Sequence, residues 1–155
     1  MEHYVTLFDA RYAPQGLALH ASLQRHAGPH RLWVLCMDEE AERLLDELRL
    51  PDVSTVPLRE IETDALRASR STQTVAEYCW TVTPFTFDAV LDRAPDAERV
   101  TYVDADVWLR RSPAPVLARF TETGAAVLLT EHAYAPEHDN SARSGRFCVQ
   151  FLTMV

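Results

Sequence analysis

The chain contains no lysine, so its fifteen basic side chains are all arginines, and they leave a formal net charge of −8 over 155 residues. A chain this acidic is a poor candidate for binding nucleic acid, because such binding depends on basic patches that contact phosphates. We therefore expect no nucleic-acid partner.

Glycine is also scarce, with only four residues in the chain. Gly16, Gly28, Gly124 and Gly145 stand apart from one another and form neither the dinucleotide-binding pattern nor a P-loop. Any bound phosphate must then be contacted by a metal ion, by backbone N–H groups or by a few arginines.

Three cysteines, Cys36, Cys79 and Cys148, are too few and too widely spaced for a disulfide framework or a Cys-x-x-Cys zinc site. We interpret them as small apolar residues of the interior.

Long apolar runs are missing as well: none approaches the ~20 residues of a membrane span. The start of the chain lacks the charged and then apolar layout of a signal peptide. A cytoplasmic location is the resulting expectation. The composition, 47% hydrophobic and 25% charged, is that of a globular protein, and the length predicts one domain.

Strand and helix patterns alternate in the first half of the chain. This alternation predicts right-handed crossovers and a mainly parallel α/β sheet. The predicted strands are His3–Phe8, Arg31–Met37 and Val53–Leu58, and the predicted helices start at Pro14, after the capping residue Asp38 and at Ile61.

The second half predicts a helical stretch from Val75 to Val90, in which Pro84 either produces a kink or opens a second helix capped by Thr83. A short helix from Ser112 to Phe120 follows. Two further strands are predicted at Ala125–Thr130 and Phe147–Val155, and the polar segment between them is predicted to be a loop.

Two carboxylates, Asp104 and Asp106, end the apolar run Val100–Trp108. If this run is a strand, both side chains point to the same face. Burying them without partners would cost several kcal/mol each, so a cation or hydrogen-bond donors are expected nearby. Magnesium and manganese prefer such oxygen ligands. The alternative is that the acids only mark a strand end entering solvent.

Three stretches, Tyr4–Tyr12, Tyr78–Pro84 and Trp108–Pro113, stand in order around these acids. Together with the Asp-x-Asp motif they resemble the GT-A glycosyltransferases, most closely those of family 8, over nearly the whole chain. The resemblance implies a Rossmann-like three-layer fold with a mainly parallel sheet flanked by helices. It also implies that residues 1–155 form a nucleotide-sugar-binding domain, the N-terminal part of such an enzyme, without the C-terminal acceptor portion.

The resemblance also implies a donor site for a nucleotide-sugar, with a UDP-sugar expected. Leu7, Phe8 and Asp9 would line the nucleotide base, and Tyr12 would stack on it. Tyr12 has an equally good alternative as a loop residue that covers the core.

The same resemblance assigns Asp104 and Asp106 to Mn²⁺ or Mg²⁺ against the diphosphate, with Asp104 also counted as a contact of the donor nucleotide. It places Gln150 near the hydroxyls of an unknown acceptor. Many family 8 enzymes carry an arginine in the stretch that here contains Trp80. For Trp80 we therefore predict packing in the core and no contact with the donor sugar. The distal motif that supplies a histidine as third metal ligand is absent, so weak metal binding is expected.

Two other functions remain as alternatives. Haloacid dehalogenase-like phosphatases also place Asp-x-Asp after an apolar strand, but they keep the motif near the N-terminus and require Thr or Val at the position of Trp108. The other alternative is a catalytically inactive module that binds nucleotide-sugars or a partner.

Overall fold

Six strands form one sheet, four of which run parallel and adjacent to one another. A computed structural model describes residues 1–155. The spatial order is β3-β2-β1-β4-β6-β5, and β6 runs antiparallel to both of its neighbours. The prediction of a mainly parallel sheet is confirmed. The strands are β1 (Glu2–Phe8), β2 (His30–Cys36), β3 (Val53–Pro57), β4 (Val100–Val103), β5 (Val127–Glu131) and β6 (Phe147–Met154).

Eight helices accompany the sheet, and none has the length and apolar composition that crossing a bilayer requires. Asp38 caps the second helix as predicted, because its carboxylate accepts the N–H of Ala41 at 2.8 Å. The helices are α1 (Ala13–His26), α2 (Glu39–Leu48), α3 (Leu58–Ile61), α4 (Asp64–Arg70), α5 (Val75–Val82), α6 (Phe85–Leu91), α7 (Ala114–Thr123) and α8 (Ser141–Ser144), with 3₁₀ turns at Ala10–Tyr12 and Pro136–His138.

Helices pack on both faces of the sheet, which confirms the three-layer architecture. Alternate residues of β1 serve the two faces: Val5 and Leu7 join one core, and Tyr4 and Phe8 the other. The first core is completed by α4, α5 and α6, and the second by α1 and α2.

The helical stretch around Pro84 divides into two helices, α5 and α6. Thr83 does not cap the second one, because its hydroxyl donates backwards to the carbonyl of Cys79 at 2.9 Å. The predicted loop between β5 and β6 contains a 3₁₀ turn and the short helix α8.

Helix α1 approaches the end of β1 closely at Gly16. A Cβ added there would lie 2.3 Å from a ring atom of Phe8, which is only 3% exposed. Only glycine therefore allows α1 to lie against this ring.

We expect Gly16→Ala to lower the free energy of unfolding by about 1–3 kcal/mol, the usual cost of overpacking a core. Helix propensity alone predicts the opposite, a gain of up to about 1 kcal/mol. Urea denaturation measures the difference. In a Phe8→Leu background the cost should shrink; an equal cost in both backgrounds would show that the ring is not its cause.

Candidate nucleotide and metal site

The candidate site lies where β1 and β4 end. These strands are parallel neighbours, with Val5 opposite Tyr102 in the register. Asp9 follows β1 directly and Asp104 follows β4, so both acids lie at the carboxyl edge of the sheet. Ligands of open α/β sheets bind at this edge.

The Asp-x-Asp motif forms a turn, and the sheet ends before it. The strand β4 ends at Val103, and the N–H of Val107 donates to the carbonyl of Asp104 at 3.0 Å. Both acids therefore follow the strand, in a turn of the kind that Asp favours, and strand alternation does not determine the relative directions of their side chains. Asp104 is half-buried and Asp106 is exposed.

Asp104 is held at two points. The hydroxyl of Tyr102 donates to its Oδ1 at 2.8 Å, and its own backbone N–H donates to the carbonyl of Gln150 at 3.1 Å. Burial raises the pKa of the Asp104 carboxyl above its ordinary value, the hydrogen bond from Tyr102 opposes this shift, and the charge of Asp106 adds to it. The two carboxylates therefore interact although the backbone turns between them.

No arginine neutralises this pair of acids. All eight ion pairs of the chain involve other carboxylates. Two oxygen-donor side chains without a counter-charge match the ligand chemistry of a hard divalent cation. No third His, Cys, Asp or Glu completes a metal-binding group, so other ligands of such an ion would be water or substrate oxygens.

The end of β1 is ordered by Asp9. Its Oδ1 accepts the N–H of Tyr12 at 3.1 Å, and its Oδ2 accepts two N–H groups of Arg11 at 3.1 and 3.0 Å. Both oxygens thus stabilise the turn that carries Tyr12. Tyr12 is 53% exposed, so about half of its surface is available for contact with a ligand.

Leu7 and Phe8 are buried, at 8% and 3% exposure, and their side chains belong to opposite cores. Any contact of these two residues with a base would have to come from their backbone. Their assignment to the base, like that of Asp9 and Tyr12, stays a prediction.

Helix α5 lies beside the same edge. Burial raises the pKa of the Cys79 thiol, and the carboxylate of Asp9 adds to the shift. The prediction of core packing for Trp80 is wrong, since its side chain is 67% exposed. Tyr78 and Val82, four residues apart, occupy the buried face, and Trp80 is turned about 200° from Tyr78 around the helix.

Gln150 lies opposite Asp104 because β6 runs antiparallel to β4, in a register that pairs Val103 with Phe151. Leu129 pairs with Leu152 but Thr130 pairs with Cys148, so the residues between them are displaced from the ladder of β5. The exposed Gln150 side chain stays a predicted acceptor contact.

Sequence reasoning missed Tyr102. The available signal was its position two residues before Asp104, together with the need of a buried tyrosine hydroxyl for a partner.

Comparison with solved structures finds the same fold in glycosyltransferases. Over 99% of its length the chain superposes on mouse xyloside xylosyltransferase 1, covering 66% of that chain with a TM-score of 0.62 and 14% identity. It also superposes on the galactosyltransferase LgtC, which was solved with donor and acceptor sugar analogues. This match covers 98% of this chain and 57% of the LgtC chain, with a TM-score of 0.60 and 17% identity. The chain has the GT-A fold.

Sequence relatives of this GT-A domain are two uncharacterised proteins of Bacillus subtilis (strain 168). YfnF is 34% identical over 113 residues, which are 73% of this chain and 37% of YfnF. YfnD is 30% identical over 151 residues, which are 97% of this chain and 48% of YfnD. The chain thus spans half or less of the length of these curated relatives. No family profile matches it.

We expect Asp104→Asn to raise the melting temperature of the GT-A domain near pH 7 in the presence of a chelator. Because the folded-state pKa is raised, ionising Asp104 weakens the fold as pH rises through the unfolded-state value, and the penalty is complete above the folded-state value. Asparagine removes this penalty and can still accept the Tyr102 hydroxyl.

Thermal unfolding followed by circular dichroism measures the effect. The gain should shrink as pH is lowered toward 4, and Asp106→Asn, at the exposed position, should give a smaller gain. A loss of stability in Asp104→Asn at pH 7 would contradict the assignment of a desolvated carboxylate.

Proposed function

We propose that this chain forms the donor site of a glycosyltransferase that transfers a sugar from a nucleotide-sugar, a UDP-sugar, to an acceptor. One observation carries the proposal: Asp104 and Asp106 lie without a counter-charge at the carboxyl edge of a GT-A sheet, beside the end of β1. The fold neighbours named above transfer xylose and galactose, which supports the reaction class.

The nucleotide would lie across the ends of β1 and β4. The exposed ring of Tyr12 offers a stacking face for uracil. Asp9 fixes the backbone of Tyr12 by accepting a hydrogen bond from its N–H. The backbone of Leu7 and Phe8 borders the same edge. The diphosphate would then extend toward the turn that starts at Asp104.

Asp104 and Asp106 would hold Mn²⁺ or Mg²⁺. When bound, such an ion acts as a Lewis acid and stabilises negative charge on the leaving diphosphate. The two acids contribute differently, since Asp104 is fixed through its backbone bond to Gln150 while the exposed Asp106 can adapt to the ligand.

No side chain at this edge serves as a nucleophile. Asp9 accepts hydrogen bonds from Tyr12 and Arg11. Asp104 and Asp106 are assigned to the cation. The raised pKa of Cys79 keeps its thiol protonated at neutral pH. Catalysis would then rest on positioning and charge stabilisation, with the diphosphate deprotonating the acceptor and the anomeric configuration retained, as the resemblance to family 8 implies.

Binding of UDP should require a divalent cation, and Asp106→Asn should weaken this metal-dependent binding. An amide oxygen is a poorer ligand for a hard cation than a carboxylate, so we expect a loss of at least about tenfold, the lower bound usual for residues that support metal sites. Titration calorimetry with Mn²⁺ and with a chelator measures it. Equal UDP affinity in both conditions would overturn the donor-site assignment.

Variants on the donor side and on the acceptor side of the site should differ in their effects on sugar transfer and donor hydrolysis. Asp106→Ala should abolish transfer and donor hydrolysis together, whereas Gln150→Ala should reduce transfer and leave hydrolysis intact. Coupled UDP-release assays report both, and NMR of the product reports its anomer. An inverted product would contradict the retaining chemistry.

A second candidate is a nucleotide-sugar-binding module without catalysis. The absence of a third metal-binding side chain beside Asp104 and Asp106 favours it. Metal-dependent UDP binding without any donor hydrolysis or transfer would identify this function.

A further inference from the structure

We infer that Tyr102 is a positioning residue for the cation site, whose hydroxyl occupies Oδ1 of Asp104 and leaves Oδ2 to bind the metal. The inference rests on the proposed function, because it gives Asp104 the role of a metal ligand. It assigns Tyr102 a role that is exerted through Asp104.

The geometry of Tyr102 suits this role. It is the third residue of β4, only 3% exposed, and its ring belongs to the core that packs under α5 and α6. Packing on all sides restricts the ring, and the hydroxyl lies 2.8 Å from Oδ1 of Asp104. The buried phenol thus restricts the movement of a carboxylate at the sheet edge.

The backbone of Asp104 is fixed independently. Its N–H bonds to the carbonyl of Gln150 at 3.1 Å, and its carbonyl accepts the N–H of Val107 at 3.0 Å. With the main chain fixed, the carboxylate can still rotate about its side-chain bonds, and the hydrogen bond from Tyr102 restricts this rotation. A preorganised ligand binds more tightly because less side-chain entropy is lost when the cation arrives.

The contrast with Asp106 strengthens the inference. That carboxylate is exposed and no protein group bonds it, so it has no support of its own. With only two carboxylates in the site, the site depends on the one that is oriented. Partners that orient a metal ligand typically change affinity 10–100-fold when removed.

A purely structural role for Tyr102 makes a different prediction. In such a role Asp104 serves only as the hydrogen-bond acceptor that offsets the burial of the Tyr102 hydroxyl. In that case removing the hydroxyl would change stability and leave cation affinity unaltered. The chain offers a matched control in Tyr4, a fully buried tyrosine of the neighbouring strand whose hydroxyl has no partner and whose ring lies in the opposite core.

The experiment compares wild type, Tyr102→Phe and Tyr4→Phe, with Mn²⁺ alone as the probe. Electron paramagnetic resonance of free Mn²⁺ gives the dissociation constants without any activity assay, and thermal unfolding confirms that each variant is folded. We expect Tyr102→Phe to bind Mn²⁺ at least about tenfold more weakly than wild type. Tyr4→Phe should stay within about twofold. Should Tyr102→Phe not fold, Tyr102→Met fills the space with a flexible apolar side chain and removes the same hydroxyl.

The outcomes separate the inference from the proposed function. Mn²⁺ binding by wild type with equal affinity in Tyr102→Phe would overturn the positioning role and leave the donor site in place. Equal losses in Tyr102→Phe and Tyr4→Phe would also overturn it, because the loss would then reflect the cores. No Mn²⁺ binding by wild type would overturn the metal site itself, and with it the role of Tyr102.

Discussion

The parallel pairing of β1 with β2 on one side and β4 on the other is the constraint on which the rest of the structure depends. β1 contributes alternate side chains to both cores, and its seven residues pair in register with all of β2. Because β4 runs parallel to it, the segments that follow the two strands emerge at one edge. Residues almost a hundred positions apart, Asp9 and Asp104, are thereby brought to one side of the molecule.

Charge is distributed in a way that sets this edge apart. The chain is rich in arginine, and the seven arginines that form ion pairs do so with carboxylates elsewhere, such as Arg59 with Glu42 and Arg67 with Glu62. Asp104 and Asp106 have no such partner, and partial burial makes the charge of Asp104 costly. If the site binds a cation as proposed, an arrangement that lowers the stability of the fold by itself would favour binding, a common compromise between stability and function.

Local sequence signals succeeded where one residue's neighbours along the chain decide its role. Asp38 caps α2 because a short polar side chain before a helix can reach its free N–H groups, and β2 contains the continuous apolar run Leu32–Cys36 that is typical of a buried parallel strand. Trp80 shows the limit. An aromatic residue in an apolar helix favours burial, yet which face of α5 meets the sheet is decided by how that helix docks, and Tyr78 and Val82 occupy that face.

The sequence by itself determined the alternation of strands and helices, the parallel sheet and the presence of two acids after a buried strand, because these follow from local periodicity and chain order. Only the tertiary structure decided how the acids are presented. β4 ends at Val103, the motif turns, and Tyr102 reaches Asp104. Likewise, Gln150 meets Asp104 only through the antiparallel return of β6. The contact with Gln150 depends on strand register and the raised pKa of Asp104 depends on burial, and both arise only when distant segments pack together.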